Sequence, residues 1–305
     1  MEKIKTIFFG THKFAVIILE TLMNDPRFSV EMVITQPDKP VGRKKVMTSP
    51  PAKVFADQHG LKVEQPESLK NYNLPIETEV GVTAQYGLLI PQHILNAPTH
   101  GIINVHTSLL PKYRGASPIQ SALINGEEKT GVTIMKMDVG LDTGPILLQT
   151  ETEIKPNETY LDLDARLAKL GADALFQALP QYIGGELKPK PQDEKLATTC
   201  GKLTREDGKI DWNKTADEIY NQYRGLTPWP GVWTTWDGKR LKLIKIKKTD
   251  LIIPAGQVKI DGNKLFVGCA EGSIEVLELQ PEGKPQMDNA TFTNGYKTID
   301  GALLQ

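Results

Sequence analysis

Only two cysteines occur in the 305 residues, Cys200 and Cys269, and they lie far apart. Two lone thiols make neither a disulfide framework nor a metal-ligand spacing, so both are read as packing residues in a reducing compartment. Long apolar runs are missing as well. No stretch approaches the ~20 residues of a bilayer span, and the apolar part of MEKIKTIFFG is too short for a signal peptide and reads as a first strand. A cytoplasmic protein with no membrane partner is therefore expected, working as a monomer. Charge of one sign is not in excess either. The formal net charge is −1, so affinity for a polyanion has to come from a local patch. No G-x-G-x-x-G follows the first apolar run, which argues against a dinucleotide.

What is present is an ordinary globular composition, 39% hydrophobic and 24% charged, over a length that suits two domains. In the first half apolar runs alternate with helical periodicity. Strands are predicted at 4–10, 29–35, 80–85, 102–106 and 132–137, with helices at 14–23 and 51–59. Such alternation, with nearly continuous apolar strands, predicts an α/β domain: a Rossmann-like, doubly wound, mostly parallel sheet covered on both faces. In such sheets ligands bind beyond the carboxyl ends of the strands. Residues 156–184 read as a closing helix, with Leu161, Leu163, Leu167, Leu170, Leu175 and Leu179 on its apolar face. The polar, proline-containing residues 186–206 read as a linker between a catalytic domain, 1–185, and a second domain, 207–305. The latter has one helical stretch, 215–223, then short strands at 232–236, 241–247, 257–260, 265–267 and 274–279. Repeated short strands with Gly and Asp turns predict a small β-barrel.

Three stretches carry candidate chemistry. In Ile102–Pro111 (IINVHTSLLP) strand alternation sends Asn104, His106 and Ser108 to one side. A polar, titratable row ending an apolar strand is costly to bury without a use. The residues alone also allow a hydrogen-bonded core histidine. In Val132–Gly144 a strand runs into a loop with Asp138, Gly140, Asp142 and Gly144. Asp142 is placed to orient an imidazole, although a plain turn or a calcium-like loop has the same composition. Thr83–Pro91 reads as a strand, a glycine turn and a proline-started helix, a pattern shared by ordinary βα turns.

Taken together, Asn104-x-His106 followed by Ser108-Leu109-Leu110-Pro111, and then Met137-x-x-Gly140-x-Asp142-Thr143-Gly144, resembles the folate-dependent formyltransferases. Further matches follow in order along the chain: Phe8-Phe9-Gly10-Thr11, Gln36-Pro37-Asp38-Lys39-Pro40, Gly115-Ala116-Ser117-Pro118, Asp211-Trp212 and Pro228-Trp229-Pro230-Gly231. These look like the branch of the family that acts on methionyl-tRNA. His12-Lys13, Thr107 and Lys112-Tyr113 depart from the usual pattern. The resemblance implies a C-terminal barrel similar to the OB-fold, 10-formyltetrahydrofolate as donor and no metal. It implies Asn104, His106 and Asp142 as catalytic residues and Ser108, Leu109, Leu110 and Pro111 as folate-binding. It also implies that the backbone of Ala84, Gln85, Tyr86, Gly87, Leu88, Leu89 and Ile90, with that of Val139, Gly140 and Leu141, holds the pterin.

The residue types suit the reaction. When an amine attacks a formyl carbon an oxyanion develops, and Asn104 and an imidazolium at His106 are placed to donate to it. Asp142 is placed to take the proton leaving the amine. The acceptor is a separate question. Residues 37–53 follow the second predicted strand and carry Lys39, Arg43, Lys44, Lys45 and Lys53 against one acid, Asp38. A basic loop at the site edge fits the phosphates and end bases of an initiator methionyl-tRNA; a solvated charged loop has the same composition. A second basic run, Lys239–Lys248, fits either a tRNA contact or a solvated strand face. The alternative reading is a formyltransferase for a nucleotide-linked amino sugar, which needs no basic loop. A formyl-folate hydrolase or a non-catalytic folate- or RNA-binding protein would need less still.

Overall fold

A computed structural model describes residues 2–42 and 44–305. The chain divides into two compact units: Met1–Pro118, Lys129–Glu153 and Asp164–Gly201 in the first, and Ile119–Glu128, Ile154–Leu163 and Lys202–Gln305 in the second. This differs from the division expected from the sequence. Most of the supposed linker belongs to the first unit, and the second recruits two short stretches from the expected catalytic domain.

The first unit starts with β1 (Ile4–Gly10), α1 (Lys13–Asn24) and β2 (Phe28–Ile34). A short hairpin, β3 (Lys39–Val41) and β4 (Val46–Thr48), precedes α2 (Pro51–Gln58) and β5 (Val63–Glu64). Then come β6 (Val80–Ala84), α3 (Gln92–Leu95), β7 (Ile102–His106) and the two-residue β8 (Arg114–Gly115). Beyond α4 (Pro118–Ile124) follow β9 (Lys129–Lys136), β10 (Ile146–Glu153), the long α5 (Tyr160–Ile183) and β11 (Thr199–Cys200). The main sheet has seven strands in the order β10-β9-β7-β6-β1-β2-β5. β5, β2, β1, β6 and β7 run parallel, while β9 is antiparallel to both its neighbours, β7 and β10. The strand order reverses at β1 and β6, as in doubly wound folds.

The apolar runs are continuous because the central strands are covered on both faces. Ile7, Phe9, Met32, Ile34, Ile94 and Ile102 form one buried cluster, while Phe8, Phe14, Ile18 and Leu19 are buried as well. Helix α5 comes close to the sheet at Gly171, where a Cβ would lie 2.7 Å from Val105 and 3.4 Å from Val132. The predicted apolar face of this helix is buried at Leu163, Leu167, Leu175 and Leu179, but Leu161, in its first turn, is exposed.

In the second unit, α6 (Ala216–Leu226) begins with a reciprocal capping box between Thr215 and Glu218. An antiparallel sheet follows, built from β12 (Val232–Trp236), β13 (Lys239–Thr249), β14 (Val258–Asp261), β15 (Lys264–Gly268), β16 (Ser273–Pro281) and β17 (Met287–Asp288), with α7 (Asn289–Gly295) after it. The order is β12-β13-β16-β15-β14, with β17 on β16. Residues 301–305 bond to both edges: Thr235 and Gln305 exchange two backbone bonds, and Val258 N donates to Ala302 O. That pairing closes the sheet into the barrel expected from the sequence. Its core includes Trp212, Ile219, Leu243, Leu265, Val276 and Phe292. Among the described residues no helix is long and apolar enough to cross a membrane. Cys200 and Cys269 are buried and join no disulfide among the described residues, and burial pushes the Cys269 thiol up to about 12.

Candidate active site

Asn104 and His106 leave the same face of β7, as strand alternation requires. Asp142 is delivered by the turn between β9 and β10, residues 137–145. β9 is antiparallel to β7, with Ile103 opposite Lys136 and His106 opposite Thr133. The turn therefore departs beside the first residues of β7, where Met137 N donates to Ile102 O. It then folds back over the face that carries the two polar side chains. Asn104 Nδ2 donates to Asp142 Oδ1 at 3.4 Å, and His106 Nδ1 stands 3.6 Å from the same oxygen. The three residues expected as catalytic thus meet at one carboxylate oxygen.

The remaining contacts lock this arrangement. His106 is 6% exposed, and its Nε2 faces Tyr113 O at 3.1 Å. Asp142 Oδ2 accepts from Gly115 N at 2.8 Å. Gly115 is irreplaceable on steric grounds: at φ +125 a Cβ would sit 2.1 Å from Cys200 O. Asp142 itself adopts φ +53, a left-handed conformation that costs a non-glycine residue about 1 to 3 kcal/mol and persists only where its surroundings hold it. Within the same turn Asp138 Oδ1 accepts from Gly140 N at 3.1 Å and Thr143 Oγ1 at 2.7 Å.

The Ser108–Pro111 segment is turned inward. Ser108 is fully buried and its hydroxyl donates to Lys112 O at 2.6 Å. Thr133 Oγ1 donates to Ser108 O at 2.6 Å and accepts from Leu110 N at 3.1 Å. Gln149 Nε2 donates to Leu110 O at 2.8 Å. Leu110 is buried, while Leu109 and Pro111 are half-buried. These side chains mainly shape the turn, and the Ser108 hydroxyl is already engaged.

Residues 85–91 leave β6 next to β7, since Thr83 pairs with Asn104. Gln85, at φ +43, donates to Asp164 Oδ1 at 2.9 Å, and burial pushes the Asp164 carboxyl above the usual carboxylate range. Tyr86 O accepts from Thr11 Oγ1 at 2.8 Å and Gln36 Nε2 at 2.7 Å. Ala84 and Ile90 are buried, Leu88 is half-buried and Gly87 is exposed. Leu89 is 83% exposed; across Asn104, Val139 is 69% and Leu141 67% exposed, with Gly140 exposed between them. Uncovered aliphatic side chains on two turns beside a polar cluster fit a flat aromatic ligand held by backbone groups.

Of the basic residues, Lys39, Lys44 and Lys45 lie exposed on the β3–β4 hairpin, and Arg43 lies outside the described residues. The stretch expected as an irregular loop is thus a hairpin, pairing Lys39 with Thr48 and Val41 with Val46. The Lys239–Lys248 run lies on β13 and is partly neutralised. Lys247 pairs with Glu275 at 2.9 Å, Lys248 pairs with Asp217, and the Arg240 guanidinium sits 4.3 Å over Trp233.

Sequence reading missed Arg114, Gln192 and Glu194. Arg114 is 5% exposed and bonds Glu194 through Nη1 at 2.8 Å and Nη2 at 2.7 Å. Gln192 and Glu194 sit in the stretch expected as linker, which in fact reaches the Asp142 turn through Gln192. The one available signal was Arg114, a buried-type ion partner directly before the Gly115-Ala116-Ser117-Pro118 match.

A family model for formyl transferases matches residues 2–179, and one for the formyl transferase C-terminal domain matches residues 202–297. The chain belongs to the formyl transferase family. Among curated members of that family it is 42% identical over 309 residues to a methionyl-tRNA formyltransferase of Caldicellulosiruptor saccharolyticus, covering 98% of this chain and 99% of the relative. It is 43% identical over 311 residues to that of Bacillus cytotoxicus, covering 99% and 98%. The fold also resembles an N-formyltransferase from Helicobacter canadensis solved with folinic acid and dTDP-3-aminofucose (TM-score 0.69, 21% identity, 90% and 98% covered). A second likeness is to HypX from Aquifex aeolicus with tetrahydrofolic acid (TM-score 0.66, 14% identity, 99% and 49% covered).

Proposed function

We propose that this formyl transferase moves the formyl group of 10-formyltetrahydrofolate to the amino group of methionine on initiator tRNA. The convergence of Asn104, His106 and Asp142 on one oxygen carries the reading of the chemistry. Full-length identity above 40% to enzymes named for methionyl-tRNA supports the acceptor.

Asn104 has one amide hydrogen directed at Asp142 and a second with no partner among the described residues, placed to donate to the oxygen of the attacked formyl group. One such donor is typically worth about 10²–10³ in rate. His106 stands at the same Asp142 oxygen as Asn104 and supplies a second donor once one of its ring nitrogens turns from its present neighbour to the formyl oxygen. Asp142 takes the proton that the amine loses on attack, directly or through a water, and returns it to the departing folate nitrogen. No covalent enzyme intermediate is required: the Ser108 hydroxyl is engaged and Cys200 is buried. Residues 84–90 and 139–141, with Leu109 and Pro111, are assigned to the pterin. Lys39, Lys44 and Lys45, exposed cations on a hairpin, suit phosphates and are assigned, together with Arg43, to the acceptor stem.

Incubation of the pure protein with 10-formyltetrahydrofolate and charged initiator tRNA, free methionine, a nucleotide-linked amino sugar or no acceptor tests this. Formylmethionyl-tRNA is the expected product. Faster formylation of the amino sugar, or hydrolysis of the donor at the same rate without acceptor, overturns the assignment.

A further inference from the structure

The side chain of Gln192 touches the backbone of the Asp142 turn at two points. Its Nε2 donates to Asp142 O at 2.8 Å and to Gly144 O at 2.7 Å, using both amide hydrogens on carbonyls that bracket the turn. Its Oε1 accepts from Arg114 Nε at 3.1 Å and Nη2 at 2.8 Å. Arg114 is fastened in turn by Glu194 and, through its backbone N, by Thr198 O at 2.9 Å. One residue further on, Gly115 N grips the Asp142 carboxylate itself. The left-handed Asp142 is therefore clamped from two sides, its backbone by Gln192 and its side chain by Gly115, and both clamps run back to Arg114 and the 192–200 segment.

From this geometry we infer that Gln192 is a positioning residue for the reaction, setting the backbone of Asp142 so that its carboxylate meets Asn104 and His106. Gln192 is placed to touch neither substrate nor the reacting atoms. The amide is chemically specific. A carboxylate at 192 would still suit Arg114, but it would set a negative oxygen against two carbonyl oxygens that now accept hydrogen bonds. A methionine would fill the space and bond neither neighbour.

The inference rests on the proposed role of Asp142, and the test separates the two. Gln192→Met and Gln192→Glu are made in the full chain and in an Asp142→Asn background. Amide hydrogen exchange over 138–145 is read alongside formyl transfer. Both Gln192 variants should speed exchange in that turn while exchange in β1 and β6 stays as in the parent. Each should lower kcat by about 10- to 100-fold, the scale of an ångström-sized misplacement of a reacting group, with KM for both substrates within about twofold. In the Asp142→Asn background the same replacements should cost less than about threefold, because nothing then depends on the turn's placement. Gln192→Glu should be no better than Gln192→Met. Unchanged exchange, or an equal kcat loss in both backgrounds, overturns the positioning role. If exchange speeds up as expected but Asp142→Asn is itself near normal in kcat, the positioning stands and the assignment of Asp142 as proton acceptor fails.

Discussion

Two segments of the first unit carry residues assigned to the substrates, and they are held in opposite ways. The 137–145 turn is tied at several points: Asp138 to Gly140 and Thr143, Asp142 to Gly115, Asn104 and Gln192, and Gly144 to Gln192. The 39–48 hairpin has its anchor at the base. There Asp38 accepts from Gln65 at 2.7 Å, Lys53 at 3.1 Å and Ser49 at 3.0 Å, while the six strand residues beyond are all exposed. A proton acceptor has to stand within a hydrogen bond of its target, so its segment is over-determined. A surface that grips a polyanion gains from reach and charge, and rigid side-chain geometry adds little to it.

The contrast is open to test. The largest effect is expected at Asp142: its change to Asn should lower kcat by roughly 10²–10⁴ with KM for folate nearly unchanged, and a kcat close to the parent would remove it from the chemistry. Next come Asn104→Ala and His106→Ala, each expected to lower kcat by about 10²–10³. Because both converge on one oxygen, the double variant should lose less than the product of the single losses. Losses that multiply cleanly would mean two independent jobs.

On the hairpin the effects should be smaller and should fall on KM. Lys44→Ala and Lys45→Ala should weaken methionyl-tRNA several-fold and reduce the salt dependence of binding by roughly one unit of slope for each phosphate no longer gripped. Arg43→Ala should also narrow the preference for initiator over elongator tRNA, since a planar guanidinium stacks on unpaired bases. Steady-state formylation across a salt series checks all three, and parent-like behaviour would make the hairpin a bystander. The smallest effect belongs to Asp38→Ala at the hairpin base. Ion pairs that water still reaches contribute little, and Asp38–Lys53 is half-buried, so KM for tRNA should rise by no more than about fivefold with kcat unchanged. Its bonds to Gln65, Lys53 and Ser49 hold the Asp38 carboxyl below its ordinary 3.8. The anchor is therefore complete throughout the neutral range and comes undone only as pH falls below that value. KM for tRNA should then show no step from Asp38 between pH 5 and 8.

Legibility followed the range of the interactions involved. β1, β6 and β7 were readable because strands buried on both faces must be apolar throughout, and each prediction fell within a residue or so of the observed limits. β10 was not legible. It is an edge strand, alternating buried or half-buried residues with exposed ones, and its polar half (Gln149-Thr150-Glu151-Thr152-Glu153) resembles a loop. The hairpin escaped because Pro40 and Gly42 suggest irregular chain, yet a proline is tolerated on an isolated edge. The supposed linker misleads for another reason. Residues 186–201 are mostly exposed, yet Gln192 bonds Asp142 and Gly144 and Glu194 holds Arg114, and composition does not distinguish such a segment from one that only faces water.

The sequence by itself determined the alternation of strands and helices, the closing barrel strands, and the placement of Asn104 and His106 on one face, since each follows from a local period or a local steric rule. It also supplied the motif order that marks the family. Only the tertiary structure decided that β9 runs antiparallel, that its turn therefore folds back across β7, and that Gln192 and Arg114 come from distant segments to hold Asp142. Which donor meets which acceptor across distant stretches of chain depends on how the whole chain packs, and no local pattern encodes it.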